Sequence, residues 1–93
     1  MAMNYRVSFT RASKRQHDKL DAAIKNRIDK SFQRLVNYYD GKTGKKTDVR
    51  GLTGKYCRLL RLRVGDCRII FKLQGDELVI LVVEIVKRGD AYR

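Results

Sequence analysis

The stretch 56–72, YCRLLRLRVGDCRIIFK, constrains this chain more than any other. Leu60, Leu62 and Val64 alternate with Arg61 and Arg63, Gly65-Asp66 follows, and Cys67, Arg68, Ile69, Ile70 and Phe71 run back. A Gly-Asp pair between two such runs is a hairpin signal, because glycine accepts the positive φ that tight primed turns require. A two-residue loop then fixes the register by counting. Val64 lies opposite Cys67, Arg63 opposite Arg68, Leu62 opposite Ile69 and Leu60 opposite Phe71. One face is apolar throughout, as suits a strand pair packed on a core. The other sets Arg63 directly across from Arg68, with Arg61 two residues along and Lys72 further down. Like charges directly opposite destabilise a sheet. Such a cluster persists where water and salt screen it or where an anion sits on it. A solvated face accounts for a lone arginine pair, whereas four cations on one face of one hairpin point to an anion site.

Composition supports an acidic partner. Lys and Arg number 22 against 10 Asp and Glu in 93 residues, a net charge of +12. An excess of that size suits nucleic acid, an anionic membrane surface or an acidic protein. The length fits one domain, 1–93, with a modest core. No apolar run approaches the about 18 residues that span a bilayer. The opening MAMNYRVSFTR lacks the apolar segment of a secretory signal, so a cytoplasmic protein is expected. In the hairpin register Cys57 falls near Gln74, too far along the sheet from Cys67 for a disulfide. Both cysteines read as thiols, and with a single histidine the spacing offers no zinc site.

Taken in order, residues 4–9 (NYRVSF) alternate as a first strand. Thr10 caps a short helix over 12–20, in which Ala12 and Leu20 look inward and His17 is expected in solvent. Asp21 caps a second helix over 22–39, where Ile24, Ile28, Phe32, Leu35, Val36 and Tyr39 recur at helical spacing. With almost no loop between them, the two suggest an antiparallel helical hairpin. Residues 40–55 read as a loop, either a basic grip on a nucleic-acid backbone or a solvated connector. GKTGKKT lacks the spacer of a phosphate-binding loop and follows a helix. A second tight turn at Gly75-Asp76 leads into LVILVVEIV, apolar on both faces and so a central strand. Counting through that turn pairs Phe71 with Ile80 and Ile69 with Val82. It sends Glu84 to the helix side near Cys67 and Lys87 to the basic face. The fold class is α+β: a strand, a two-helix hairpin, then an antiparallel β-meander with the helices packed on one face. The pattern leaves the place of the first strand open.

DVRGLTGKY before the hairpin, LRLRVGDCRIIF through it and KRGDAYR after the last strand together resemble the RelE/ParE superfamily of toxins from type II toxin–antitoxin systems, the RelE branch in particular. The likeness runs through the whole chain. It implies the RelE fold, ribosome-dependent cleavage of messenger RNA without metal or other cofactor, and restraint by a cognate antitoxin protein. By the same resemblance Arg68 matches the arginine that stabilises the scissile phosphate. Arg61 matches a basic residue of phosphate contact and proton transfer, Arg88 the basic residue ending the last strand, and Tyr92 a C-terminal tyrosine that stacks on a base or assists proton transfer. Leu59 stands where RelE has a lysine, a role absent here or moved to Arg58. Lys87 stands where many relatives have histidine; surrounding cations would depress its pKa and suit it to acid–base work. Arg63, Lys72, Lys45, Lys46, Arg50 and Lys55 complete an expected RNA-contacting set. Two alternatives stay open: a ParE-like poison of DNA gyrase, and a basic RNA-binding domain of the same fold without the chemistry.

Overall fold

The computed structural model describes residues 5–41, 49–51 and 59–87. Its elements are β1 (Arg6–Phe9), α1 (Arg11–Asp18), α2 (Ala22–Tyr39), β2 (Val49–Gly51), β3 (Leu60–Val64), β4 (Cys67–Gln74) and β5 (Val79–Lys87). The hairpin of β3 and β4 has the register that counting gives, from Val64 opposite Cys67 to Leu60 opposite Phe71. Gly65 adopts φ 56 while Asp66 stays at negative φ. That is the backbone of a type II′ turn, whose twist matches that of the strands it joins.

The second turn departs from the expected one. Gln74 pairs with Val79, so four residues form the loop instead of two, and Phe71 lies opposite Val82. Gly75 does not take the left-handed conformation; Leu78 does, at φ 55. The N–H groups of Glu77 and Leu78 donate back to the carbonyls of Gln74 and Gly75. A second irregularity follows. Phe71 pairs with Val82 but Ile70 with Glu84, which leaves Val83 as the extra residue of a β-bulge. A bulge reverses inward and outward beyond it. Ile80 and Val82 therefore face the same side as Phe71, and after the bulge Ile85 and Lys87 do.

Among the described residues the sheet has five strands in the order β1-β5-β4-β3-β2, antiparallel except for β1, which runs parallel to β5 at one edge. β2, inside the segment read as a loop, forms the other edge, with Val49 opposite Leu62. α2 covers one face. Its Ile28, Phe32 and Leu35 join Leu62, Cys67, Ile69, Phe71, Ile80, Val82 and Ile85 in one buried cluster. Asp21 caps this helix through its side chain, which accepts from the N–H of Ile24 at 3.0 Å.

α1 serves the sheet edge. β1 ends at Phe9, so β5 would run on with unpaired backbone groups. Thr10 N–H donates to the Val82 carbonyl at 3.0 Å, and the Ser13 hydroxyl to the same oxygen at 2.7 Å. The Thr10 hydroxyl donates to the Val83 carbonyl at 3.2 Å, and the Gln16 amide oxygen accepts from Ile85 N–H at 2.8 Å. Hence Ser13, fully buried, and Gln16 point inward from α1, and Ala12 is exposed. His17 is not in solvent either. Its side chain is 12% exposed, packs its ring on Phe9 at 5.1 Å and meets Asp29 of α2 at 2.8 Å.

Candidate nucleic-acid interface

Alternation along β3 and β4 sends Leu60, Leu62, Ile69 and Phe71 to α2 and turns Arg61, Arg63, Arg68 and Lys72 to the opposite face. Arg63 lies directly across from Arg68. Cβ atoms of opposite residues on adjacent strands stand about 5 Å apart, so two guanidinium groups rise from neighbouring points. Arg50 pairs with Arg61 on β2 and adds a cation to the same face. The sequence placed Arg50 in a loop; its position on an edge strand comes from Val49 docking opposite Leu62.

Rows across the sheet define the surface. One runs Arg50, Arg61, Ile70, Glu84; the next runs Arg63, Arg68, Val86. Ile70 and Val86 are 5% and 8% exposed, so an apolar floor lies between the charged side chains. Arg50, Arg63 and Lys72 are exposed, and Arg61 and Arg68 half-buried. The Nε of Arg61 is buried with no hydrogen-bond partner among the described residues. Arg63, Arg68 and Asp66 each have a partner. A planar guanidinium offers paired donors that match phosphate oxygens.

Two expectations for β5 are corrected here. Lys87 pairs with Cys67 and so lies on the α2 side, where Arg27, Val64 and Asp66 line the same cleft. Glu84, expected beside Cys67, pairs with Ile70 and so lies on the arginine face. The cause of both is the bulge at Val83, which no alternation of residue types announces. Cys67 itself is a buried thiol. Burial pushes its pKa up, against the opposing pull of Lys87 and Arg27. Arg58, Arg88, Tyr92, Lys45, Lys46, Lys55 and Cys57 lie outside the described residues. Among the described residues no cluster of His, Cys, Asp and Glu could hold a metal ion, and no helix is long and apolar enough to cross a membrane.

Comparison with known proteins gives this geometry its context. A RelE-like toxin protein of Escherichia coli is 28% identical over 92 residues, which cover 97% of this chain and 92% of that protein. The archaeal RelE–RelB complex of Pyrococcus horikoshii contains a chain that superposes with a TM-score of 0.68 at 28% identity, covering 96% of this chain and all of that one. The toxin–antitoxin complex RelBE2 of Mycobacterium tuberculosis matches in fold with a TM-score of 0.76 at 17% identity, covering 92% of this chain and 100% of that one. The family model described as the ParE toxin of the type II toxin–antitoxin system parDE matches residues 5–92. With nearly its whole length accounted for by that model, the chain belongs to the ParE toxin family and is a type II toxin of the RelE/ParE superfamily.

Proposed function

We propose that this toxin is a ribosome-dependent endoribonuclease that cleaves messenger RNA without a metal ion and so arrests translation. The observation that carries the reading is the gathering of Arg61, Arg63 and Arg68 on the sheet face that α2 leaves uncovered. RNA cleavage by the neighbouring 2′-oxygen passes through a phosphorane whose extra charge needs fixed cations. Arg68 and Arg61 supply them, and Arg63, Arg50 and Lys72 hold the flanking backbone. Arg88 and Tyr92 extend the site, Arg88 to phosphate and Tyr92 to a base. Arg58, Lys45, Lys46 and Lys55 add further backbone contacts. A site richer in cations than in proton-transfer groups gains most from a ribosome that aligns the RNA for it.

The inhibiting partner is a cognate antitoxin that carries an acidic or amphipathic segment, and the cytoplasm is where toxin, antitoxin and ribosome meet. Both solved structures compared above are toxin–antitoxin complexes, and a mixed cationic and apolar surface suits such a segment. A second reading, poisoning of DNA gyrase, has one specific support: the matching family model is that of ParE.

Induction of the gene in a bacterial host separates the two. Rapid loss of protein synthesis with transcripts cut inside reading frames is expected, and Arg68→Ala should abolish both while the protein stays folded. Filamentation with DNA damage and intact transcripts would instead assign the chain to gyrase.

A further inference from the structure

Among the described residues, cation placement leaves one requirement of the chemistry unmet, a group that takes the proton from the 2′-hydroxyl. Lys87 is on the wrong side of the sheet, paired with Cys67. His17 packs its ring on Phe9 and meets Asp29 of α2. The arginine face does carry a carboxylate. Glu84 follows the bulged Val83 and pairs with Ile70, which in turn pairs with Arg61.

We propose that Glu84 is the general base of this site, set opposite Arg61 across the apolar strip of Ile70; this inference rests on the ribonuclease reading above. Adjacent strands lie about 4.8 Å apart. Arg61 and Glu84 thus rise from the same face with one strand between them, a gap that a phosphodiester and its ribose can bridge. Arg63 and Arg68 occupy the adjoining row. Glu84 is exposed and forms no ion pair among the described residues.

Bulges recur beside active sites because they re-aim a side chain, and this one is held in place from outside the sheet. The Thr10 hydroxyl bonds the Val83 carbonyl at 3.2 Å, and the Gln16 amide oxygen bonds the Ile85 N–H at 2.8 Å. These two contacts bracket Glu84. The charged groups around the carboxylate are Arg61 across Ile70, Arg68 in the next row, Lys72 in the row on the other side, and Lys19 of α1 together with Lys87 along the cleft that Glu84 also borders. All are cations.

The Glu84 carboxylate takes the 2′-hydroxyl proton as the 2′-oxygen forms its bond to phosphorus. The phosphorus–5′-oxygen bond breaks, and the leaving oxygen is protonated by water. The products are a 2′,3′-cyclic phosphate and a 5′-hydroxyl, and Glu84 returns its proton to solvent.

The test is single-turnover cleavage of messenger RNA on programmed ribosomes across a pH series, with the wild type, Glu84→Gln, Lys19→Gln and Arg68→Ala. Glu84→Gln should lower the rate constant by about 10²–10⁴-fold, remove the fall in rate on the acid side, and leave melting temperature and ribosome binding unchanged. Lys19→Gln should keep the wild-type rate, which separates a catalytic carboxylate from one that merely pairs with α1. Wild-type cleavage by Glu84→Gln alongside an inactive Arg68→Ala would overturn the assignment and leave the ribonuclease reading standing. Absence of cleavage by the wild type would overturn both.

Discussion

A side-chain amide anchors β5 just past its bulge. Gln16 accepts a hydrogen bond from the Ile85 N–H one residue beyond Glu84, at a place on β5 where β1 no longer supplies partners. Replacing it by alanine strands a half-buried donor, which costs about 1 kcal/mol. In a domain of this size that lowers the melting temperature by about 4–8 °C. Gln16→Glu keeps the acceptor and should recover most of the loss. Thermal unfolding of both variants checks this, and an unchanged Gln16→Ala midpoint would mean that water replaces the bond at no cost. The same residues mark how far sequence reasoning reaches. Arg61, Arg63 and Arg68 could be placed because a two-residue turn leaves only one register. Glu84 and Lys87 could not, because their facing depends on a bulge held by Thr10 and Gln16, residues about 70 positions away in the chain.

Among the elements, α2 was legible almost to the residue. Asp21 and the recurrence of Ile28, Phe32 and Leu35 mark a capped helix with one apolar stripe. α1 had a legible cap at Thr10 but an illegible inner face. Its inward positions meet backbone carbonyls and N–H groups at a strand edge, so they are filled by Ser13 and Gln16 and leave no apolar stripe to find. The end of α2 makes a further junction. Tyr39 packs against Tyr5 and Tyr38 with ring centroids 5.7 and 5.4 Å apart, and Asp40 accepts from the Tyr5 N–H at 2.7 Å. Burial, reinforced by the two neighbouring phenols, raises the Tyr39 pKa above its ordinary value of 10.0. Cys67 is raised in the same direction above 9.0, also by burial. Both groups are neutral when protonated and release their protons more readily in the unfolded chain. Their contribution to stability is therefore complete below the ordinary values and lost as pH climbs through the raised ones. Melting temperature should fall from about pH 9 upward, and Tyr39→Phe should make the decline shallower above about pH 10. A pH series of thermal melts that gave both proteins the same slope would contradict the assignment.

For the molecule as a whole, the α+β class and the packing of a long helix on one sheet face followed from the order of patterns. The topology of the edges did not. β1 joins β5 in parallel, and nothing in NYRVSF distinguishes a parallel partner from an antiparallel one. β2 is three residues long in a segment rich in glycine and lysine, and it is a strand because Val49 and Gly51 meet Leu62 and Leu60. These edges matter to the surface opposite α2. One adds Arg50 beside Arg61, and the other ends early enough for α1 to lock the bulge. The result is a sheet with a conventional core on one side and a cationic face with an apolar floor on the other, in a chain of net charge +12. The most direct measurement is cleavage of a defined messenger RNA in a purified translation reaction, with cut sites mapped at nucleotide resolution. The wild-type chain should cut within translated codons only when ribosomes are present, and an Arg61→Ala, Arg68→Ala double variant with wild-type melting behaviour should not cut at all. Undiminished cutting by that double variant would mean that the arginine face is not where the chemistry happens.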